Sequence, residues 1–288
     1  MTTTPVAPLG RLILEPIVRR ALEEDFGLAG DITGNAVIAP DTQAIVVMAA
    51  REEGVIAGLD AAHIAFHLVD PSLQVVRPLP DGAPVKKGDV VMEISGNARA
   101  ILAAERVALN FVGRMSGIAT LTARMVAAVG NHKAKICSTR KTTPGLRAVE
   151  KYAVRAGGGA NHRLGLDDAI LIKDNHIAMA GGVATALHRA RAIAGHMVKI
   201  EIEVDTLDQL KEVMETGADV VMLDNMTIAQ MTEAVTFVDG RALVEASGGV
   251  TLDRIPAIAA CGVDMISTGA LTHSAPNFDV GLDYKAAA

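Results

Sequence analysis

A chain of 288 residues with a net charge of −6 has room for one large domain, or for one large and one smaller. Half of its residues are apolar, yet only 2% are aromatic and none is Trp, so Ala, Val, Ile, Leu and Met must fill the core. The acidic balance and the scarcity of stacking rings argue against a nucleic-acid binder, and no apolar run is long enough to predict a membrane span.

The opening MTTTPVAPLG lacks the charged and apolar regions of a signal peptide and is expected as a frayed end. Cys137 and Cys261 lie far apart and outside any CxxC motif, the pattern of buried reduced thiols in a cytoplasmic protein. LILEPIVRRALEEDFG has apolar residues at helical spacing and stops at a glycine. QAIVVMAAREEGVIAGLD is predicted as a strand and a turn, and LPDGAPVKKGDVVMEISG as a compact hairpin. Helical periodicity then covers ARAILAAERVALNFVGRMSGIATLTARMVAAVG, with a break expected near Gly113 or Gly117.

From residue 133 the pattern becomes regular. Six short apolar runs, KAKICSTR, DAILIKDN, VKIEIEVD, ADVVMLDN, ALVEASGG and DMISTGAL, alternate with helix-like stretches such as DTLDQLKEVMETG and TIAQMTEAVTFV. Alternating βα units predict a parallel sheet flanked by helices, as a barrel or a doubly wound sheet, and no GxGxxG follows the first strand. The polar clusters fall where the runs end: Arg140 and Lys141, Lys173 and Asp174, Glu203, Asp224 and Asn225, Ser247 to Gly249, then Thr268 and Gly269. In barrel enzymes that rim carries the active site, so the sorting favours a barrel.

The chemistry sorts along the same rim. Between His132 and His176 there are nine Lys or Arg against four acids, a local cationic excess inside an acidic protein that suits a small anionic ligand. Arg140, Lys141, His162, Arg163 and Lys173 supply the candidate cations; arginine forks fit carboxylates, and lysine meets phosphate as a point charge. Arg147, Lys151 and Arg155 share one helix face, where a solvated stripe is as good a reading as a site. His176 is a capping residue or a support for the site. Glu203 and Asp224 can hold Mg²⁺, accept hydrogen bonds from sugar hydroxyls or form an acid/base pair. Glu201 shares the face of Glu203, with Lys173 its expected partner, and Asp205 and Asp208 suit helix capping. Glycine-bearing turns after the last two runs let backbone N–H groups approach a phosphate.

Taken together, ERVALNF, STRKTTPGLR, GGGANHRLGLDDAILIKDNH, EIEVD, VMLDN, EASGG and STGALTHS resemble, in order and over nearly the whole chain, the quinolinate phosphoribosyltransferase family. The resemblance implies an open, incomplete α/β barrel of parallel strands over residues 116–274. It also implies an N-terminal α/β sandwich over 1–115 that the C-terminal 275–288 rejoins as a strand. It implies transfer of phosphoribose from phosphoribosyl pyrophosphate to quinolinate with decarboxylation, giving nicotinate mononucleotide for NAD synthesis. Arg140, His162, Arg163, Lys173 and nearby Thr139 then face the quinolinate carboxylates, together with Arg106 from a partner subunit. Lys141 and Lys173 face phosphoribosyl pyrophosphate, Glu203 and Asp224 hold the ribose hydroxyls and Mg²⁺, and Ser247, Gly248, Gly249, Thr268, Gly269, Ala270 and His273 surround the 5′-phosphate. Lys141, Lys173, Glu203 and Asp224 are the implied catalytic group, in homodimers or larger assemblies with shared sites. No residue stands out as the acid that protonates the ring after CO₂ leaves. A nicotinate-using phosphoribosyltransferase, a molybdenum-transport-associated homologue, a Schiff-base aldolase built on Lys173 and a non-catalytic phosphate-binding module are the rival readings.

Overall fold

The computed structural model describes residues 6–285; the first five residues of the expected frayed end lie outside them. In chain order, helices α1 (Arg11–Phe26) and α2 (Ile32–Val37) precede strands β1 (Gln43–Ala50) and β2 (Gly54–Val55). Helix α3 (Leu59–Val69) leads to β3 (Gln74–Val76), β4 (Pro84–Val85), β5 (Val90–Asn97) and the long helix α4 (Ala98–Val129). Next come β6 (Lys135–Ser138), α5 (Arg147–Ala156), β7 (Ala160–Asn161), β8 (Ile170–Ile172), α6 (Asp174–Ala180) and α7 (Val183–Ile193). Alternation continues through β9 (Ile200–Val204), α8 (Leu207–Thr216), β10 (Val220–Asp224), α9 (Ile228–Val238), β11 (Leu243–Ser247), α10 (Ile255–Ala260), β12 (Met265–Ser267), α11 (Ala270–His273) and β13 (Val280–Tyr284).

The chain divides into two compact units. The first comprises the chain up to Ala123, Thr142–Gly158 and the chain from Ser274 onward; the second comprises Arg124–Lys141 and Gly159–His273. The first unit holds an antiparallel sheet in the order β13-β1-β5-β3, with Val46 opposite Tyr284 and Met48 opposite Leu282. Its apolar side is filled by residues such as Met48, Met92, Ile94, Ile56 and Phe66, all fully buried.

Two local expectations are corrected here, and one open reading is decided. The predicted hairpin does not form: β4 pairs with β2, whereas β5 pairs with β1 and β3. A tight turn, closed by the Lys86 N–H on Asp89 Oδ2 at 2.8 Å and passing Gly88 at φ +93°, separates β4 from β5. Helix α4 runs unbroken through Gly113 and Gly117, which are sites of close approach. A Cβ at Gly117 would lie 2.0 Å from the Pro276 carbonyl oxygen, and the Gly113 carbonyl accepts the Phe278 N–H at 2.9 Å. Finally, the Arg147, Lys151, Arg155 face is no solvated stripe, because Lys151 is only 2% exposed.

The second unit contains one seven-stranded parallel sheet in the order β7-β6-β12-β11-β10-β9-β8. All six predicted runs are strands of this sheet, and β7 is an additional one hidden in GGGANHR. Consecutive strands β7 and β8 stand at opposite edges and do not pair, so the sheet curls as an open, incomplete α/β barrel. Its inward and outward faces both bury apolar residues, as parallel strands covered by helices require. Helix α9 starts as the sequence predicts, with Thr227 accepting the Gln230 N–H, whereas α8 is capped by Thr206, which accepts the Gln209 N–H, and not by the expected Asp205. Both cysteines are free and buried. No helix among the described residues is long and apolar enough to cross a membrane.

Candidate active site

Every strand of the parallel sheet sends its C-terminal end to the same rim, and a cavity of about 560 Å³ opens there. That volume lies within the range of roughly 300–1,000 Å³ typical of small-molecule sites. Its lining brings Thr139, Arg140, Lys141, His162, Arg163 and Lys173 together with Glu203, Asp224, Asn225, Ser247, Gly248 and Gly249. Leu171, Met222, Glu245 and Ser267 complete the lining.

The cationic side is built by β6, β7 and the loop into β8. Ser138 Oγ donates to Asn161 Oδ1 at 2.9 Å, fixing β7 to the end of β6 and so placing the two residues that follow it. Arg163 donates its backbone N–H to His162 Nδ1 at 2.8 Å, so the ring's own proton stands on Nε2. That proton is given to Glu201 Oε2 at 2.6 Å. Arg163 Nη1 reaches the Ala169 carbonyl at 3.2 Å. Burial, and then the neighbouring Arg140 guanidinium, lower the Arg163 pKa from its ordinary value. Two guanidinium groups that disfavour one another define a place for an anion. The loop is tightened by Asp168, whose carboxylate accepts the Leu164 and Gly165 N–H groups at 2.6 and 3.0 Å.

Sheet register decides how the carboxylates are partnered. Leu171 stands level with Glu201 and Ile172 with Ile202, so Lys173 arrives beside Glu203, and its Nζ lies 3.1 Å from Glu203 Oε2. The expected Lys173–Glu201 pair is therefore replaced by His162–Glu201. His176 proves to be a cap, its Nδ1 accepting the Lys173 N–H at 2.9 Å at the start of α6. Asp205, read as a helix cap, instead joins Glu203 and Asp224, and one ligand oxygen of each lies within 4.8 Å of the others. Three hard oxygen donors so grouped fit a Mg²⁺ ion.

The glycine turns have specific constraints. Gly248 adopts φ +82°, and a Cβ there would fall 2.2 Å from Asn225 Oδ1. Asn225 itself has φ +55° and donates from Nδ2 to Asp224 Oδ2 at 2.6 Å. A Cβ on Gly269 would meet Lys141 Cδ at 2.7 Å and His273 Nε2 at 3.0 Å, so both side chains lie against that glycine. Thr268, Gly269, Ala270 and His273 follow β12 but are not among the residues lining the cavity. Arg106 is also absent from it and lines a separate cavity within the first unit, with Arg20 and Arg114.

A buried acidic cluster at the cavity was not anticipated from the strand ends. His162 Nε2 lies 3.9 Å from Glu245 Oε1, and ligand atoms of His162, Glu201 and Glu245 lie within 4.8 Å of one another. Glu245 is 1% exposed. Burial first, then the Glu201 charge, push its carboxyl up to about 7, against the opposing pull of His162 and the Ser267 hydroxyl. The signal was in the sequence as parity: Glu245 and Ser247 are two residues apart in one strand and share a face.

An open parallel α/β barrel whose rim sets cations against carboxylates and glycine turns is an enzyme architecture for anionic, phosphate-bearing substrates. Residues 31–116 match the N-terminal domain of quinolinate phosphoribosyl transferase and residues 118–283 its C-terminal domain, and the chain belongs to that family. It is 46% identical over 271 residues to nicotinate-nucleotide pyrophosphorylase (carboxylating) of Mycobacterium leprae, covering 92% of this chain and 95% of that one. It is 43% identical over 275 residues to a probable nicotinate-nucleotide pyrophosphorylase (carboxylating) of Bacillus subtilis, covering 96% and 94%. A solved nicotinate-nucleotide pyrophosphorylase from Francisella tularensis superposes with a TM-score of 0.93 at 39% identity, covering 99% of this chain and all of that one.

Proposed function

We propose that the chain transfers phosphoribose from phosphoribosyl pyrophosphate to quinolinate and decarboxylates the adduct, producing nicotinate mononucleotide, pyrophosphate and CO₂. The observation that carries this reading is the meeting, in one cavity, of Arg140, Arg163 and Lys173 with Glu203, Asp224 and the Ser247–Gly249 turn. A dicarboxylate needs the paired guanidinium groups, and a phosphorylated sugar needs the carboxylates and the open backbone turn. Lys173 is about half exposed and ion-paired with Glu203, which gives a Schiff-base aldolase less support than a desolvated amine would.

In this reading Arg140, His162 and Arg163, with Thr139 nearby, hold the quinolinate carboxylates and orient the ring nitrogen toward the sugar. Lys141 and Lys173 meet the negative charge of phosphoribosyl pyrophosphate, and Glu203 and Asp224 accept its ribose hydroxyls. Ser247, Gly248, Gly249, Thr268, Gly269, Ala270 and His273 surround the 5′-phosphate. Glu203, Asp205 and Asp224 form the group suited to Mg²⁺, which when bound adds positive charge beside the leaving pyrophosphate. The carboxylates lie where positive charge grows on the sugar as the pyrophosphate bond lengthens, and preorganised charge of this kind lowers such a barrier. The nitrogen then bonds to the sugar carbon, and the cationic ring favours loss of the adjacent carboxylate. The working form is a homodimer at least, in which Arg106 of one subunit completes the other's site; its place outside the cavity of its own second unit is consistent with that role.

The test is incubation of the purified chain with quinolinate, phosphoribosyl pyrophosphate and Mg²⁺. Pyrophosphate and CO₂ are expected in equal amounts, and nicotinate in place of quinolinate should yield no turnover. A folded protein that releases neither product defeats the reading.

A further inference from the structure

Loss of CO₂ from a pyridinium ring leaves an electron pair on the ring carbon, and that pair must be captured by a proton before CO₂ returns. Proton donors in the cavity can be eliminated one by one. Arg140 and Arg163 do not give up protons in proteins. The Lys173 ammonium is held by Glu203. His162 has its Nδ1 occupied as an acceptor and its single proton on Nε2 engaged with Glu201, so release would leave an imidazolate. Glu203 and Asp224 belong to the sugar side, and Lys141, which also lines the cavity, belongs with them to phosphoribosyl pyrophosphate in that reading. Glu245 remains. It lines the cavity, is almost wholly buried, and its Oε1 has no hydrogen-bond partner among the described residues. An orphaned carboxyl oxygen so placed is costly unless the group carries a proton or is used.

We propose that Glu245 is the general acid that protonates the ring carbon after decarboxylation. This rests on the quinolinate reading above. In the step, the bond between the ring carbon and its carboxylate breaks, the electron pair stays on the carbon, and CO₂ departs. Glu245 passes its carboxyl proton to that carbon and becomes a carboxylate, which regains a proton from solvent once the product leaves. Glu201 has the supporting role: its charge beside Glu245 disfavours a second carboxylate, while its bond to His162 orients the imidazole. The groups facing Glu245 are His162 from the loop after β7, Glu201 from β9 and Ser267 from β12, with Met222 level with it on β10. Burial together with the Glu201 charge keeps Glu245 protonated up to neutral pH, and the acid is lost as pH rises further.

The test separates the two chemical steps in single turnovers. Glu245→Gln keeps the shape of the side chain and removes its transferable proton. The burst of pyrophosphate is expected to persist, CO₂ release to slow by about 100-fold or more, and quinolinate mononucleotide to accumulate. Glu245→Asp should recover part of the CO₂ rate. In the unaltered chain CO₂ release should fall as pH rises above about 7, while pyrophosphate release does not follow it. Equal slowing of both products in Glu245→Gln, or unchanged CO₂ release, overturns the proposal. If the Gln variant does not fold, the wild-type pH profile decides: a CO₂ rate flat across neutral and alkaline pH overturns it equally. Absence of pyrophosphate from the unaltered chain is a different failure, that of the function itself.

Discussion

At Gly248 two independent demands meet. Its φ of +82° is a backbone state that side chains with a Cβ enter only under strain, and the added carbon would fall 2.2 Å from Asn225 Oδ1 and 2.8 Å from the Asn225 nitrogen. Asn225 cannot move aside freely, because its own N–H is held by the Ser247 carbonyl at 3.1 Å and its amide by Asp224. Gly248→Ala is therefore expected to cost about 1–3 kcal/mol of stability and to raise the KM for phosphoribosyl pyrophosphate more than that for quinolinate. Thermal unfolding and initial-rate kinetics check the two parts, and an unchanged KM for the sugar substrate would remove Gly248 from the phosphate turn. Strand-end position made this residue legible in the sequence, as it did Arg140, Lys173, Glu203 and Asp224. Glu245 and Asp205 were less visible. Glu245 lies inside its apolar run, where only parity with Ser247 marks its face, and Asp205 sits one residue before the Thr206 cap that it resembles.

Elements whose partners are local in sequence were the ones composition could place. The βα repeats from residue 133 are of this kind, since each strand and helix announces itself by period and cap. Pairings between distant segments were not. The supposed hairpin separated because β4 finds β2 and β5 finds β1, and the glycines of α4 meet a segment some 160 residues further along, a contact no periodicity encodes. Gly157 has the same origin: a Cβ there would lie 2.3 Å from the Ala119 carbonyl oxygen of α4, and Gly158 turns at φ +84°, so these glycines form a packed turn. The start of α3 shows how such distant contacts stabilise an element. Asp81 accepts the Gly58 and Leu59 N–H groups at 3.0 and 3.1 Å and the Tyr152 hydroxyl at 2.9 Å, capping a helix from 22 residues beyond its first turn. Burial raises its pKa despite those bonds. Asp81→Ala leaves three donors without their acceptor, and a loss of about 1–2 kcal/mol is expected, the scale of a deleted helix cap. A shift of the urea midpoint with an unchanged slope would show it; no shift would mean that water replaces the carboxylate.

For the whole molecule, the sharpest consequence of a shared site is arithmetic. If Arg106 serves the partner's cavity, Arg106→Ala and Arg163→Ala each disable every site of their own homodimers. In a mixed dimer the two defects fall together. The cavity of the subunit bearing Arg106→Ala keeps its own Arg163 and receives the partner's intact Arg106, whereas the other cavity lacks both. Random mixing makes half of the dimers mixed, with half of their sites intact, so activity should return to about a quarter of the unaltered level. The two inactive proteins are unfolded, refolded together and assayed against each refolded alone. Recovery near that fraction requires an isologous dimer with sites composed across it. No recovery, with mixed dimers demonstrated by mass, would confine Arg106 to its own first unit and its separate cavity with Arg20 and Arg114, and the cationic side of the substrate site would then be complete within one chain.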